Sequence, residues 1–209
     1  MKAVFVDIET TGLDFEKHVA LDLCVAIVNL DVRDEMHTFM RLIECSEKDW
    51  ENADPEAMRV NNIIREAHDL ISKPVEQVSS DLAVFLVDHG IVKGKAFFIC
   101  QNPSFDRVFF HRILPQRVMT DLNMPYHWLD LASMYWSKYY ACCYPVPEEI
   151  SLSKDSIARS LGLEEEPKPH TSLGGVHHLI NCYNRLNSYN FCDVDKAAVF
   201  PGFKRPIFK

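Results

Sequence analysis

The first apolar stretch of this 209-residue chain carries two acidic residues, and it constrains the fold more than any other feature. Residues 3–8 are mostly apolar and β-branched, which is typical of a buried strand. Asp7 interrupts this stretch and Glu9 follows it. Because side chains alternate along a strand, Asp7 and Glu9 leave the same face next to each other.

Two adjacent carboxylates on a buried strand are unfavourable, because burial and mutual repulsion both disfavour their charges. A bound divalent cation would turn that repulsion into attraction, and oxygen ligands favour Mg²⁺ or Mn²⁺. The alternative is that the strand ends at Asp7 and that both acids are solvated. A glycine, Gly12, follows the acids and leaves room for a ligand to approach the backbone.

The composition is that of an ordinary globular protein, with 47% apolar and 25% charged residues. We predict a single domain over residues 1–209, with an irregular tail from about residue 188. The chain has seven cysteines and no C-x-x-C pair, and it opens directly into a strand without a signal peptide. We therefore expect a cytoplasmic protein with reduced thiols. The net charge of −8 argues against a protein that coats nucleic acid, but not against a metal-dependent nuclease.

The order of predicted elements gives an α/β fold. Strands are predicted at residues 3–8, 21–29, 36–43 and 95–100, and helices at 75–89, after 105, at 128–140, from Ser151 or Ser153 to Gly162, and at 172–186. The short connections between the first three strands indicate an antiparallel meander. We predict a mixed sheet, in which parallel strands join this meander and helices flank both faces.

Two further stretches carry chemically active residues. Asn102, Phe105 and Asp106 follow the strand at 95–100, and Asp106 falls in the first turn of the next helix. A carboxylate there also suits the helix dipole without any further function. His170 lies in a loop before the last helix.

These three stretches resemble the motifs of the DnaQ-like (DEDDh) 3′–5′ exonucleases, which have a ribonuclease H-like fold. The stretch DIETTGL at residues 7–13, the pattern Asn-x-x-Phe-Asp at 102–106, and His170 occur in the family's order and spacing. The resemblance extends over residues 3–186. In the family, an aspartate follows the histidine by five residues, but this chain has Gly175 there. The nearby His177 and His178 would point in other directions.

The resemblance implies a nuclease with two bound Mg²⁺ or Mn²⁺ ions, which hydrolyses single-stranded DNA or RNA from the 3′ end to 5′-monophosphates. The implied metal ligands are Asp7, Glu9 and Asp106, and His170 would accept a proton from the attacking water. The implied binding residues for the terminal nucleotide are Thr10, Thr11, Gly12, Leu13, Asn102 and Phe105. The sequence leaves open the choice of DNA or RNA and whether the chain forms a homodimer.

Gly175 leaves two hypotheses. The first is an exonuclease with one weakened metal site and attenuated activity, in which Asp130 or Asp155 could partly compensate for the missing carboxylate. The second is a catalytically impaired module that binds nucleic-acid ends or a protein partner on the same scaffold. Under the first, we expect Gly175→Asp to raise the metal-dependent rate by about tenfold or more without loss of helix stability.

Overall fold

The computed structural model describes residues 1–32, 35–142 and 148–188. The tail predicted from about residue 188 therefore lies almost entirely outside the described residues. Within the described residues, no helix is both long enough and apolar enough to span a bilayer.

A five-stranded mixed sheet forms the centre of the fold, in the order β3-β2-β1-β4-β5. Its strands are β1 (Lys2–Thr10), β2 (Ala20–Asn29), β3 (Met36–Leu42), β4 (Ala96–Cys100) and β5 (Trp128–Asp130). β1 to β3 form the predicted antiparallel meander, whereas β4 pairs in parallel with both β1 and β5. The predicted α/β class with a mixed sheet is confirmed.

Helices connect and cover these strands. They are α1 (Glu47–Glu51), α2 (Pro55–Asn61), α3 (Arg65–Ile71), α4 (Val75–Asp88), α5 (Asp106–Ile113), α6 (Gln116–Asp121), α7 (Leu131–Cys142), α8 (Lys154–Ser160) and α9 (Ser172–Ser188). The predicted caps of α8 are confirmed, because the Ser153 hydroxyl accepts from the Ser156 N–H and Gly162 adopts φ +71° after the last turn.

The alternation of side chains along β1 decides which helices face the acidic residues. Val4, Val6 and Ile8 pack into the core on the side of α4 and α5. Ala3 and Phe5 pack into the opposite core, to which α7, α8 and α9 contribute. Asp7 and Glu9 share the parity of Ala3 and Phe5, so they leave the sheet on the α9 side.

The helix predicted at residues 128–140 is wrong at its beginning. Trp128–Asp130 is strand β5, and the helix starts at Leu131. Trp128 pairs with Phe98 of β4, and the two rings stack with centroids 4.6 Å apart. The Asp130 carboxylate accepts from the Ala132 N–H at 2.9 Å, which caps α7. Aromatic pairing across the sheet therefore overrides the helical pattern of this segment.

Candidate active site

A cavity of about 490 Å³ lies at the carboxyl ends of the parallel strands β1 and β4. The structure brings most of the predicted site residues into its lining. These are Asp7, Glu9, Leu13, Asn102, Phe105, Asp106 and His170. Ligand sites commonly occupy this edge of an open α/β sheet, because the loops that follow the strands converge there.

Asp106 is fixed by the turn between β4 and α5. Its side chain accepts from the Asn102 N–H at 3.2 Å, and its own N–H donates to the Asn102 carbonyl at 3.0 Å. The Asn102 side chain in turn accepts from the Ser104 N–H at 3.1 Å. Asn102 therefore shapes the turn that presents Asp106 at the start of α5.

The turn after Glu9 has a different role from the cavity lining. The side chains of Thr10 and Thr11 are buried, and Thr10 Oγ1 hydrogen-bonds both the N–H and the carbonyl of Gly12. Gly12 has φ +157°, and a Cβ there would lie 2.5 Å from the His18 ring. The described lining of the cavity does not include Thr10, Thr11 or Gly12. The next residue, Leu13, belongs to the lining and is 77% exposed to solvent. The turn thus holds Leu13 at the rim.

Lys154 is a site residue that the sequence analysis missed. It is the first residue of α8, and its ammonium enters the cavity. Nζ lies 2.9 Å from Asp7 Oδ1 and 2.8 Å from Glu166 Oε2, and it donates to the Gly175 carbonyl at 3.4 Å. An ammonium has three N–H donors, so all three are used. A lysine in the first helical turn opposes the helix dipole, and this was the signal that could have drawn attention to it.

Glu166 is the second residue that was missed, because it stands in a run of three glutamates within a segment interpreted as a loop. Its side chain is only 3% exposed. Two contacts hold the loop: the Glu166 N–H donates to Asp155 Oδ1, and His178 Nε2 donates to the Glu164 carbonyl, both at 2.9 Å. Asp155 and His178 therefore position Glu166.

Gly175 has a steric role that the sequence did not reveal. A Cβ at this position would lie 2.1 Å from Asp7 Oδ2, so the Asp7 carboxylate lies against the backbone of α9. Glycine allows Asp7 to take the position in which it binds Lys154. An aspartate at position 175 would require the Asp7 side chain to move, which the expected effect on helix stability does not take into account.

His170 and Glu166 each present a buried polar atom without a partner. The His170 N–H donates to the Val60 carbonyl at 3.3 Å, which fixes the backbone of the loop. Its ring atom Nε2 and the Glu166 Oε1 atom are buried and have no hydrogen-bond partner among the described residues. Ligand atoms of Glu9, Glu166 and His170 lie within 4.8 Å of one another.

The electrostatics of the cavity favour a cation. Five carboxylates and one ammonium line it, namely Asp7, Glu9, Asp106, Asp155, Glu166 and Lys154. Burial, reinforced by the charge of Asp7, raises the pKa of Glu9 to about 8 and that of Asp106 to about 7. Burial lowers the pKa of Lys154, but the charges of Asp7 and Glu166 outweigh it, so the net shift is upward and the ammonium stays protonated.

A raised carboxyl pKa predicts a pH-dependent stability in metal-free solution. Between pH 5 and 8 the folded chain holds a proton on Glu9 that the unfolded chain releases, so the stability contributed by this group falls as the pH rises. We expect the free energy of unfolding of the parent to fall relative to that of Glu9→Gln across this interval. Urea unfolding at each pH in the presence of a chelator measures the difference, and a constant difference would contradict the assignment.

Comparisons with known proteins identify the family of this chain. The RNase T family model, described as Exonuclease, matches residues 4–183. The chain therefore belongs to this exonuclease family, and the predicted relationship to the DEDDh exonucleases is confirmed. A comparison with curated proteins gave no match.

Solved structures confirm the ribonuclease H-like fold. The nuclease domain of 3′hExo, a DEDDh family member bound to rAMP, has 16% identity and a TM-score of 0.67, with 90% of this chain and 92% of that chain covered. Cell-death related nuclease 4 has 14% identity and a TM-score of 0.67, with 90% and 64% covered. The zinc-bound complex of E. coli exonuclease I with single-stranded DNA has 13% identity and a TM-score of 0.66, with 92% and 42% covered. The chain thus spans less than two thirds of the second and third of these proteins.

The residues present do not fit the pair of divalent ions that the resemblance implies. Gly175 removes one carboxylate, and the Lys154 ammonium is bound to Asp7, which the resemblance makes a ligand. A protonated amine beside a carboxylate competes with a metal ion for the same oxygen. Two buried atoms, Glu166 Oε1 and His170 Nε2, have no hydrogen-bond partner among the described residues. They remain available as ligands for one ion elsewhere in the cavity.

Proposed function

We propose that the protein is a divalent-metal-dependent 3′–5′ exonuclease of attenuated activity, which releases 5′-monophosphates from single-stranded nucleic acid. The observation that carries this proposal is the meeting of Glu9, Asp106, Glu166 and His170 in one cavity beside Asp7. A surplus of buried carboxylates is unfavourable without a cation, and phosphodiester hydrolysis is chemistry that such a cation supports.

The chain's own residues provide a place for the terminal nucleotide. Leu13 at the rim and the partly buried Phe105 offer apolar surface to a base, and aromatic rings stack on bases without regard to sequence. Asn102 lines the same cavity and fixes Asp106 through its backbone N–H.

A bound Mg²⁺ or Mn²⁺ ion would polarise the phosphate and lower the pKa of a water. Glu9 and the other carboxylates of the cavity are the groups available to hold it. His170 has a buried nitrogen that is free to accept a proton or to bind a cation. Lys154 adds a permanent positive charge that offsets part of the negative charge of Asp7 and Glu166.

A second candidate is a module that binds 3′ ends without cleaving them. The ion pair between Lys154 and Asp7 favours it, since it occupies the carboxylate that the resemblance places between two ions. The two functions are separated by incubating end-labelled single-stranded DNA and RNA with the protein, with and without Mn²⁺, while fluorescence anisotropy measures binding. Mn²⁺-dependent loss of label supports the nuclease, and binding without loss supports the module.

The direction of attack gives a further prediction. A strand whose 3′ hydroxyl is blocked by a phosphate is expected to resist digestion, because Leu13, Asn102 and Phe105 would receive a free terminus. Denaturing electrophoresis of blocked and free strands of equal sequence measures the difference. Equal loss of both strands would indicate an endonuclease and would contradict the proposed polarity.

A further inference from the structure

We infer that the protein binds one divalent transition-metal ion between Glu9, Glu166 and His170, and that the Lys154 ammonium replaces the other cation at Asp7. This inference deepens the proposed function, since the ion is the one that the proposed hydrolysis would use. It can nevertheless be tested by metal binding alone. The ligand set differs from the predicted one of Asp7, Glu9 and Asp106.

The first argument is the unsatisfied carboxylate of Glu166. Its side chain is 3% exposed, and Oε2 binds Lys154 while the buried Oε1 has no partner among the described residues. A buried carboxylate oxygen without a partner is strongly unfavourable. The loop keeps Glu166 in place through the Asp155 contact, so Glu166 is held in the lining of the cavity. A cation is the partner that satisfies such an oxygen.

The second argument is the position of His170. Its buried Nε2 has no partner among the described residues, and the possible ligand atoms of Glu9, Glu166 and His170 lie within 4.8 Å of one another. Two ligands bound to one ion at about 2.1 Å can be up to about 4.2 Å apart. Three ligands spread evenly around one ion are about 3.6 Å apart, so any pair would have to approach by about 1.2 Å at most for all three to bind it.

The third argument is the location of Lys154. Its ammonium already binds Asp7 and Glu166 and uses its third donor on the Gly175 carbonyl. An ion at Asp7 would meet this positive charge, whereas an ion on the Oε1 side of Glu166 would share the carboxylate with it. Glu166 would thus bridge the ammonium and the metal ion. Gly175 supports this arrangement, because it leaves space for Asp7 beside α9.

The donor set also indicates the kind of ion. Two carboxylates and one imidazole suit Mn²⁺ or Zn²⁺ better than Mg²⁺, which prefers oxygen ligands. A site made of Asp7, Glu9 and Asp106 would instead offer oxygen ligands alone. A nitrogen ligand is therefore the observation that separates the two sites.

The test uses Mn²⁺ as the probe and the full chain. Electron paramagnetic resonance of free Mn²⁺ measures affinity and stoichiometry, and pulsed measurements detect ¹⁴N coupling from a bound imidazole. We expect one ion per chain with ¹⁴N coupling, and a loss of affinity of about tenfold or more in Glu166→Gln. Glu165→Gln is the matched control, because Glu165 is exposed and pairs with Arg159 outside the cavity. It should bind Mn²⁺ like the parent.

Bound Mn²⁺ without ¹⁴N coupling in the parent would overturn the inference, as would unchanged affinity in a folded Glu166→Gln variant or an absence of Mn²⁺ binding. The ¹⁴N measurement needs only the parent protein, so the test remains decisive if a variant does not fold. Mn²⁺ binding of the expected kind without hydrolysis would support this site and refute the nuclease. Hydrolysis that is unaffected by Glu166→Gln would support the nuclease and refute this metal site.

Discussion

Lys154→Met is expected to lower the free energy of unfolding by about 3 to 5 kcal/mol in metal-free solution. The Lys154 side chain is 13% exposed, and its ammonium binds two carboxylates, Asp7 and Glu166, whose side chains are 12% and 3% exposed. Removing one partner from a buried ion pair leaves the opposite charges uncompensated. Here a single substitution leaves two such charges, and methionine fills the space of the alkyl chain without supplying a donor.

Divalent cations are expected to reverse much of this loss. Without the ammonium, Asp7 and Glu166 become available to a metal ion, and binding to the folded state alone stabilises it. Urea unfolding with a chelator and with Mn²⁺ measures both effects. Lys17→Met is the control, because its partner Asp14 is in an exposed ion pair of the same type and little change is expected. If Lys154→Met lowered the free energy of unfolding by less than about 1 kcal/mol in metal-free solution, the ammonium would not be what stabilises the site.

Strands β1 to β4 and the convergence of several site residues were predictable because short-range patterns encode them. The apolar stretch around Asp7 predicted the strand, and the alternation of side chains along a strand predicted that Asp7 and Glu9 share one face. The structure places both residues on the same face. The turn with Asn102 and Asp106 was predictable for the same reason, since the strand end, the turn and the helix start are contiguous. The roles of these residues in metal and substrate binding stay predictions.

Lys154 and Glu166 were not predictable in this way, because their meaning comes from contacts between distant segments. Lys154 is separated from Asp7 by 147 positions, and the loop that carries Glu166 has no periodicity. In the run of Glu164, Glu165 and Glu166, nothing in the residue types distinguishes the buried glutamate from its exposed neighbours. Glu166 is held by contacts between distant segments, in which Asp155 binds its backbone and Lys154 links its carboxylate to Asp7 of β1.

The role of Gly175 also depends on a contact with a distant segment and was not predictable from the sequence. In the sequence it was a missing ligand, whereas in the structure it is the space into which Asp7 fits. Gly175 and Lys154 together set the position of Asp7, because the glycine leaves the space and the ammonium binds the carboxylate. Tests of position 175 therefore have to change position 154 as well.

Gly175→Asp alone is expected to destabilise the protein by about 1 to 3 kcal/mol and to give no gain in activity. A Cβ at 175 would lie 2.1 Å from Asp7 Oδ2, and Lys154 holds Asp7 in that place. The double variant Gly175→Asp/Lys154→Met should behave differently. Asp7 is then released from the ammonium and can move away from α9, and the new carboxylate completes an all-oxygen set with Asp7, Glu9 and Asp106.

We therefore expect the double variant to bind two Mn²⁺ ions per chain and to hydrolyse single strands about tenfold faster than the parent, or more. In Mn²⁺, its free energy of unfolding should be higher than the value obtained by adding the changes measured in the two single variants, because the effects of substitutions in contact are not additive. Gly175→Ala/Lys154→Met is the matched control, because it adds the same Cβ without a ligand. Equal Mn²⁺ stoichiometry and equal rates in the two double variants would show that position 175 cannot supply a metal ligand in this fold. The attenuation attributed to Gly175 would then have to arise elsewhere in the cavity.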